Sequence, residues 1–372
     1  MFEEKGSVLY VGGFELPDKN AAAHRVTNNA KILRELGYRV IFCGVDREKE
    51  IDTVEYVSGF ESSPVKYPAS TKQWIRYMFD AKKYIRILNE NKDIKLVVCY
   101  NLLAVPLAKL LSYCKKRHIK VVADCTEWYA NDFSLNPIKF IKFLNTSLCM
   151  KWFQKKCDGM IAISSFLKNY YEKHIENIIL LPPLVDIEDE KFHLETSKNN
   201  EAVSLVYAGS PALRKEALGD VVKILNNFKD FNYKFTVVGI TRDWFCSVYG
   251  IEPDDTKIEF TGRISHNEAL IAVSKSDYSI IIRPNTRITV AGFPTKFVEA
   301  ISCGTAVIAN DTSDLSSYLK DGKNGYLVSL DNLKNDLEMI FSQKDKPIVE
   351  KRLFDYRSWK DKFNVFLNDL GL

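Results

Sequence analysis

Residues 283–310 read RPNTRITVAGFPTKFVEAISCGTAVIAN, and this stretch decides the fold. The run Tyr278 to Arg283 has the length and apolar density of a buried strand, and Ala306 to Asn310 is a second one. Between them the sequence predicts a loop containing Gly292, then a helix whose first turn accepts Pro294 and whose end is set by Gly304. Such a unit brings a helix amino terminus to the carboxyl ends of parallel strands. There the amides of Thr295 and Lys296, aided by the helix dipole, can cradle an anion such as a diphosphate. Glu299 follows one turn later on the same face, where its carboxylate can accept hydrogen bonds from the vicinal hydroxyls of a ribose or sugar. The spacing also admits an ordinary Lys296–Glu299 surface pair, the lesser of the two readings.

The same alternation of short β-branched runs and amphipathic helices extends outward in both directions. In the first half the expected strands are Ser7 to Val11, Arg39 to Gly44, Lys95 to Tyr100, Lys120 to Asp124 and Gly159 to Ser164, with helices at Ala22 to Leu36 and Leu102 to Lys116. In the second half they are Val203 to Ala208, Lys234 to Gly239, Lys257 to Thr261, Tyr278 to Arg283 and Ala306 to Asn310. A chain of 372 residues built this way is α/β with two domains. Leu181-Pro182-Pro183, followed by the acidic, asparagine-rich stretch Asp186 to Glu201, reads as the linker, with a hinge near Pro183. Domains of 1–183 and 184–357 follow, with a terminal helix at about 358–370 expected to pack back on the first. Two Rossmann-like halves facing each other would bind ligands in a cleft at the carboxyl ends of their sheets.

Composition removes several classes of function. The 52 basic and 48 acidic residues leave a net charge of +4, which does not mark a nucleic-acid protein. The N-terminal MFEEKGSVLYVGGF has acidic residues where a signal peptide needs basic ones. The run Leu96 to Cys114 is broken by Asn101, Pro106, Lys109 and Ser112, so no transmembrane segment is expected. Eight cysteines carry no CxxC pair and no ligand-like spacing to the five histidines, so no zinc site is expected and a reduced, cytoplasmic protein fits.

Other residues invite chemistry. Gly12 and Gly13 end the first strand, either to let a ligand approach the backbone or only to make a tight exit; the GxGxxG dinucleotide fingerprint is absent. Asp124 and Glu127, in VVADCTEWY, end another strand, where a carboxylate can position an acceptor hydroxyl and take its proton, or can cap the next helix. His24 is a further candidate for contact with a ligand, whereas His118, His174, His193 and His266 show no pairing and are expected on the surface. From Phe133 to Cys157 there is no acidic residue, while Lys139, Lys142, Lys151, Lys155 and Lys156 interleave with Phe140, Ile141, Phe143, Leu144, Trp152 and Phe153. Lys72 to Arg86, with Trp74, Tyr77, Phe79 and Tyr84, forms a second basic and aromatic strip. Both suit an anionic bilayer surface, or a core helix with solvated lysines.

GFPTKFVEAISCGTAVIAND at 292–311 and DGKNGYLV at 321–328 resemble the donor-binding region of GT-B glycosyltransferases. With Gly12-Gly13, IAISSFL at 161–167, YAGS at 207–210 and FTGR at 260–263, the resemblance covers nearly the whole chain. It is strongest to the retaining family four enzymes (glycosyl transferases group 1) that build bacterial capsule and lipopolysaccharide. It implies a GT-B fold, an acceptor-binding first domain and a nucleotide-sugar-binding second domain. The implied activity moves a hexose-type sugar from a nucleotide diphosphate, with UDP expected, to a lipid-linked or polysaccharide acceptor.

Carried over by position, Glu299 matches the glutamate that binds the donor ribose. The family's other glutamate, near the transferred sugar, is Ala291 here, and amides around Gly292 and Phe293 are expected in its place. The Ser210 to Lys215 segment resembles a phosphate clamp in which Lys215 matches and the arginine position is Ser210, with Arg214 supplying the missing charge. Pro294, Thr295 and Lys296 complete the diphosphate cradle, and the base is expected near Arg263. Asp124, Glu127, Lys215 and Glu299 are thus the candidates closest to the chemistry, with Asp124 assisting. No metal or other cofactor is expected, since no Asp-x-Asp ends a strand. The expected partners are the nucleotide-sugar, a glycan or lipid-linked acceptor and an anionic membrane, with no nucleic acid. The expected location is the cytoplasm, peripheral at the inner face of the membrane. The alternatives are a nucleotide-sugar epimerase or dinucleotide oxidoreductase of the same architecture, and a catalytically silent nucleotide-sugar-binding partner.

Overall fold

A computed structural model describes residues 5–17, 19–48, 54–128, 137–194, 202–211 and 215–372, without the side chains of 137–139. The chain forms two compact units, one of Met1–Leu184 with Tyr356–Leu372 and one of Val185–Asp355.

The first unit runs β1 (Gly6–Gly12), α1 (Ala21–Glu35), β2 (Tyr38–Cys43), β3 (Val45–Asp46), β4 (Glu55–Val57), β5 (Phe60–Ser62), β6 (Val65–Lys66), α2 (Thr71–Phe79), α3 (Lys82–Glu90), β7 (Ile94–Tyr100), α4 (Ala104–Lys115), β8 (Lys120–Cys125), α5 (Pro137–Leu148), β9 (Gly159–Ala162), α6 (Ser165–Tyr171) and β10 (Asn177–Leu180). Eight strands form one sheet in the order β10-β9-β8-β7-β1-β2-β5-β4, parallel except for the β4–β5 hairpin at its edge. Every residue of β1 is buried, as befits a central parallel strand covered on both faces. Helix α1 starts where Asn20 accepts a hydrogen bond from the Ala23 amide.

The second unit runs β11 (Val203–Ala208), α7 (Leu218–Leu225), β12 (Tyr233–Val238), α8 (Arg242–Tyr249), β13 (Ile258–Gly262), α9 (His266–Lys275), β14 (Tyr278–Ile281), α10 (Arg287–Ala291), α11 (Thr295–Cys303), β15 (Ala306–Asn310), α12 (Leu315–Tyr318), β16 (Gly325–Val328) and α13 (Leu333–Phe341). Its six parallel strands are ordered β13-β12-β11-β14-β15-β16. Counted within the unit this is 3-2-1-4-5-6, the dinucleotide-fold order, so the connections reverse direction between β11 and β14.

The last helix, α14 (Lys360–Asp369), returns to the first unit. Phe363, Phe366, Leu367 and Leu370 join its core, Lys362 donates to the Leu180 carbonyl at 3.0 Å, and Tyr356 donates to Glu35 at 2.8 Å. The stretch expected as an open linker differs: Ile187 and Phe192 are buried in the second unit, and only 195–201 lies outside the described residues. The surrounding acidic residues mask these two anchors in the composition. Strands β10 and β16, of four residues each, also go unmarked in the sequence.

Candidate functional site

In an open parallel sheet the place where connections reverse leaves a crevice at the strands' carboxyl ends. In the second unit that place lies between β11 and β14. Helix α11 begins there with Pro294 as its N-cap, at ψ 112°, one position earlier than the first helical turn expected for it. A prolyl cap supplies no side-chain acceptor, so the opening amides carry the positive end of the helix dipole without a cap. Gly304 ends the helix at φ 79°, a left-handed geometry that favours glycine.

Lys296 does not pair with Glu299. Its side chain, 16% exposed, turns towards β11, where Nζ donates to the Tyr207 hydroxyl at 2.7 Å and to Glu216 Oε1. The ammonium also lies 4.1 Å from the centre of the Tyr207 ring. Gly209 makes this path possible, since a β-carbon there would stand 2.6 Å from Lys296 Cε. Burial lowers the Lys296 pKa while Glu216 opposes the shift. The Tyr207 hydroxyl donates to Glu216 Oε2, and burial followed by the Glu216 charge holds its proton on well above the ordinary range.

Glu299 instead meets His266, whose Nε2 lies 3.1 Å from Glu299 Oε1. This corrects the expectation that His266 lacks a partner. Ser265 and Glu268 form a capping box that fixes His266 as the first residue of α9. The Ser-x-x-Glu spacing was the available sequence signal for that helix start; the pairing with Glu299 had none.

The other candidates fall unequally. The Gly292 amide already donates to the Ile288 carbonyl at 3.2 Å, so it is not free to replace the glutamate missing at Ala291. The Phe293 ring packs against Phe297, Tyr318 and Phe354. Thr295 and Lys215 are partly exposed, while Ser210 and Arg263 are exposed; Arg214 lies outside the described residues. Arg283, which the sequence reading did not single out, lies beside the Lys215 segment. It is 6% exposed, and its backbone is held by Asn310 through two 2.8 Å hydrogen bonds. Its guanidinium donates to the carbonyls of Lys215 and Thr289, each at 3.4 Å. An arginine at the end of an apolar run was the signal to notice.

In the first unit the reversal falls between β1 and β7. Gly12, at φ 147°, lies against the Tyr100 backbone, where no β-carbon fits, whereas Gly13 is exposed and faces open space. Asp124 is fully buried. It takes hydrogen bonds from Arg25 Nε at 2.9 Å and from the Tyr10 hydroxyl at 2.5 Å, and pairs with a second Arg25 nitrogen at 2.8 Å. The structure therefore corrects the reading of Asp124 as a group facing an acceptor: it anchors Arg25, which in turn holds the carbonyls of Leu181 and Pro182. Glu127 and His24 are partly exposed.

A pocket of about 560 Å³ opens beside Gly13 and Asn101, lined by Trp74, Met78, Ile141 and Met150 from α2, α5 and the turn after it. Helix α2 buries none of its residues. Around the pocket Ile75, Phe79, Ile141, Leu144, Leu148 and Trp152 are each at least 39% exposed. Lys142, Lys151 and Lys156 stand exposed along the same segment and Lys155 is partly exposed, stacked on Tyr170; the Lys139 side chain lies outside the described residues. In the first strip Phe140, Ile141, Leu144 and Trp152 are thus on the surface, whereas in the second Phe79 is exposed, Trp74 and Tyr77 are partly buried and Tyr84 belongs to the core. No helix among the described residues is long and apolar enough to cross a membrane. Nor does any cluster of three or more His, Cys, Asp or Glu among them have the geometry to hold a metal ion.

Residues 22–189 match the family model described as Glycosyltransferase Family 4, and residues 202–340 match that described as Glycosyl transferases group 1. Among curated proteins, the chain is 22% identical over 257 residues to an uncharacterized glycosyltransferase of Methanocaldococcus jannaschii, covering 57% of this chain and 59% of that one. It is 24% identical over 200 residues, 51% of this chain and 52% of the relative, to a Campylobacter jejuni GalNAc-alpha-(1->4)-GalNAc-alpha-(1->3)-diNAcBac-PP-undecaprenol alpha-1,4-N-acetyl-D-galactosaminyltransferase. The chain thus spans a little over half the length of the curated relatives it matches. Among solved structures it is similar to a sucrose-phosphate synthase from Thermosynechococcus elongatus, with TM-score 0.70, 12% identity and 98% and 99% of the two chains covered. It is also similar to the Anabaena protein HepE in complex with UDP and glucose, with TM-score 0.63, 12% identity and 98% and 100% covered. Both likenesses are of fold.

Proposed function

The chain belongs to the family 4, group 1 glycosyltransferases of GT-B fold, and from that premise we propose that it is a retaining, metal-independent glycosyltransferase. It moves a hexose-type sugar from a UDP-sugar to a lipid-linked glycan in bacterial cell-surface glycan synthesis. The observation that carries this reading is the meeting, at the reversal point of the second sheet, of the uncapped amino terminus of α11, the cation Lys296 and the outward carboxylate Glu299. A helix terminus and a lysine suit a diphosphate, and a carboxylate one turn on suits vicinal hydroxyls. UDP as donor is supported by the UDP and glucose held by HepE, and a lipid-linked acceptor by the undecaprenol diphosphate in the Campylobacter relative's name.

In this reading the acceptor oxygen attacks the anomeric carbon from the face that the diphosphate leaves. The bond from that carbon to the diphosphate oxygen breaks, and the departing oxygen takes the acceptor's proton. The new bond forms on the same face, so the configuration is kept. Lys215, Lys296 and the α11 terminus offset the charge growing on the leaving group, which is why no divalent cation is required. Glu299 binds the ribose. Gly13 leaves room at the first unit's reversal point for the acceptor, with the partly exposed Glu127 as the carboxylate candidate of that unit.

The pocket beside Gly13, with its exposed apolar rim and lysines, suits an acceptor presented from an anionic membrane, and supports reading the enzyme as a peripheral protein at the inner face of that membrane. Incubation of the full-length protein with UDP-sugars and cell-derived lipid acceptor, with and without EDTA, tests the whole reading. Sugar appearing in the lipid fraction, in the donor's anomeric configuration and undiminished by EDTA, is the expected result. A changed nucleotide-sugar without acceptor would mean an epimerase, and binding without turnover a silent partner, the reading that Ala291 favours.

A further inference from the structure

We propose that Arg283 is the second cation of the diphosphate subsite, acting with Lys296 on the donor's diphosphate. The proposal rests on the donor reading above and goes beyond it by assigning a role to a residue outside the matched phosphate-clamp positions.

The first ground is a charge count. Around the carboxyl ends of β11 and β14 stand two cations, the buried Arg283 and the largely buried Lys296, and one described carboxylate within ion-pair distance of either, Glu216, while the partly exposed Glu299 adds a weaker field at Lys296. Glu216 is taken by Lys296 and by the Tyr207 hydroxyl. Arg283 forms no ion pair with any described residue; its guanidinium has only the two 3.4 Å carbonyl contacts, long for charged hydrogen bonds. A guanidinium does not lose its proton in a protein, so this buried charge stays. Burial works against it and Glu216 relieves it only from a distance, as the lowered Arg283 pKa reflects. A buried charge held without a carboxylate of its own is a site for an anion.

The second ground is place. Arg283 is two residues beyond β14, on one side of the reversal point, and Tyr207 and Gly209 are at the end of β11 on the other. It contacts the carbonyl of Lys215, whose position matches the phosphate-binding lysine, so it borders the segment expected to hold phosphate. Asn310 clamps both its amide and its carbonyl, which fixes the base of the side chain. The arginine position of the β11 loop is Ser210 here, exposed and uncharged. Arg283 restores the planar fork from the neighbouring strand.

The test uses inorganic pyrophosphate without magnesium as probe, titrated calorimetrically into the full-length protein, the Arg283→Met variant and the Arg283→Lys variant. The expected result is that Arg283→Met weakens pyrophosphate at least tenfold while its ligand-free Tm is equal to or above that of the parent, because an uncompensated buried charge has been removed. Arg283→Lys, with charge but no fork, is expected to fall between. Unchanged pyrophosphate affinity in Arg283→Met overturns the proposal, as does a parent protein that does not bind pyrophosphate. A ligand-free Tm lowered in both variants with affinity kept assigns Arg283 a purely structural role. If Arg283→Met does not fold, Arg283→Lys decides: several-fold weaker binding supports the proposal and parental affinity overturns it. Sugar transfer by the parent is read separately. Transfer without pyrophosphate dependence on Arg283 removes this inference alone, and such dependence without transfer removes the proposed activity alone.

Discussion

His266 Nε2 and Glu299 Oε1 lie 3.1 Å apart, tying the first residue of α9 to the middle of α11. The contact orients a carboxylate that is otherwise free to rotate at the surface, and in the proposed reading that orientation presents it to the ribose. Glu299→Ala is expected to raise the donor KM by about tenfold to a hundredfold, since a hydrogen bond to a charged group contributes about 1.5–3 kcal/mol. His266→Ala is expected to raise it by about threefold. In the double variant the second change should add nothing, because the two act through one contact. Initial rates against donor concentration for the four proteins check this.

Asp124 and Arg25 form a pair buried in the first unit, with side chains 0% and 3% exposed. Removing one partner leaves the other charge buried alone, so Asp124→Ala should destabilise the protein by about 3–5 kcal/mol. Nucleotide affinity should not change, because the pair belongs to the other unit from the donor subsite. Urea unfolding alongside nucleotide titration measures both. Intact stability with lost activity would restore Asp124 to the chemistry.

Stability should fall in alkali above about pH 9. Burial raises the Tyr171 pKa well above its ordinary value of 10.0, and pushes the Cys43 and Cys125 thiols from 9.0 up to about 12. These groups keep their protons when folded and lose them when unfolded. Their contribution is therefore complete below the unfolded values and is lost as pH rises towards the folded ones. Lys296 acts in the opposite sense just below 10.5, since its folded pKa is lowered. In Tyr171→Phe the decline above pH 10 should be shallower by about 1.4 kcal/mol per pH unit. Denaturant midpoints between pH 7 and 11 for both proteins provide the comparison.

The exposed rim of the first unit's pocket predicts binding to anionic vesicles. Replacing Ile75 and Leu148, 47% and 45% exposed, by aspartate should abolish co-sedimentation with vesicles rich in phosphatidylglycerol at low salt and leave Tm within about 2 °C. Lys142→Glu with Lys151→Glu should reduce binding by about tenfold, more at low than at high salt. Binding by the aspartate variant equal to the parent would return both strips to ordinary solvated surface.

Much of this molecule was legible beforehand for local reasons. Strands β11 and β15 fall where the β-branched runs place them, and Gly304 ends α11, because burial period and backbone freedom are written in adjacent residues. Glu299 could be singled out because its spacing from Pro294 fixes a helix face. Asp124 could not be read correctly, because a carboxylate ending a strand looks the same whether it faces solvent or an arginine 99 residues away.

The sequence alone thus determined the β-α-β alternation, the division into two halves and the helix that begins at Thr295. Tertiary structure decided which partners the charged residues took. Lys296 turned from Glu299, three residues away, to Glu216, 80 residues away; Glu299 met His266 across 33; and Arg283 was left buried without an ion pair to any described residue. The physical reason is strand order. Periodicity specifies that a strand is buried but not which strand lies beside it, and only the pairing of β14 with β11 brings these side chains to one edge.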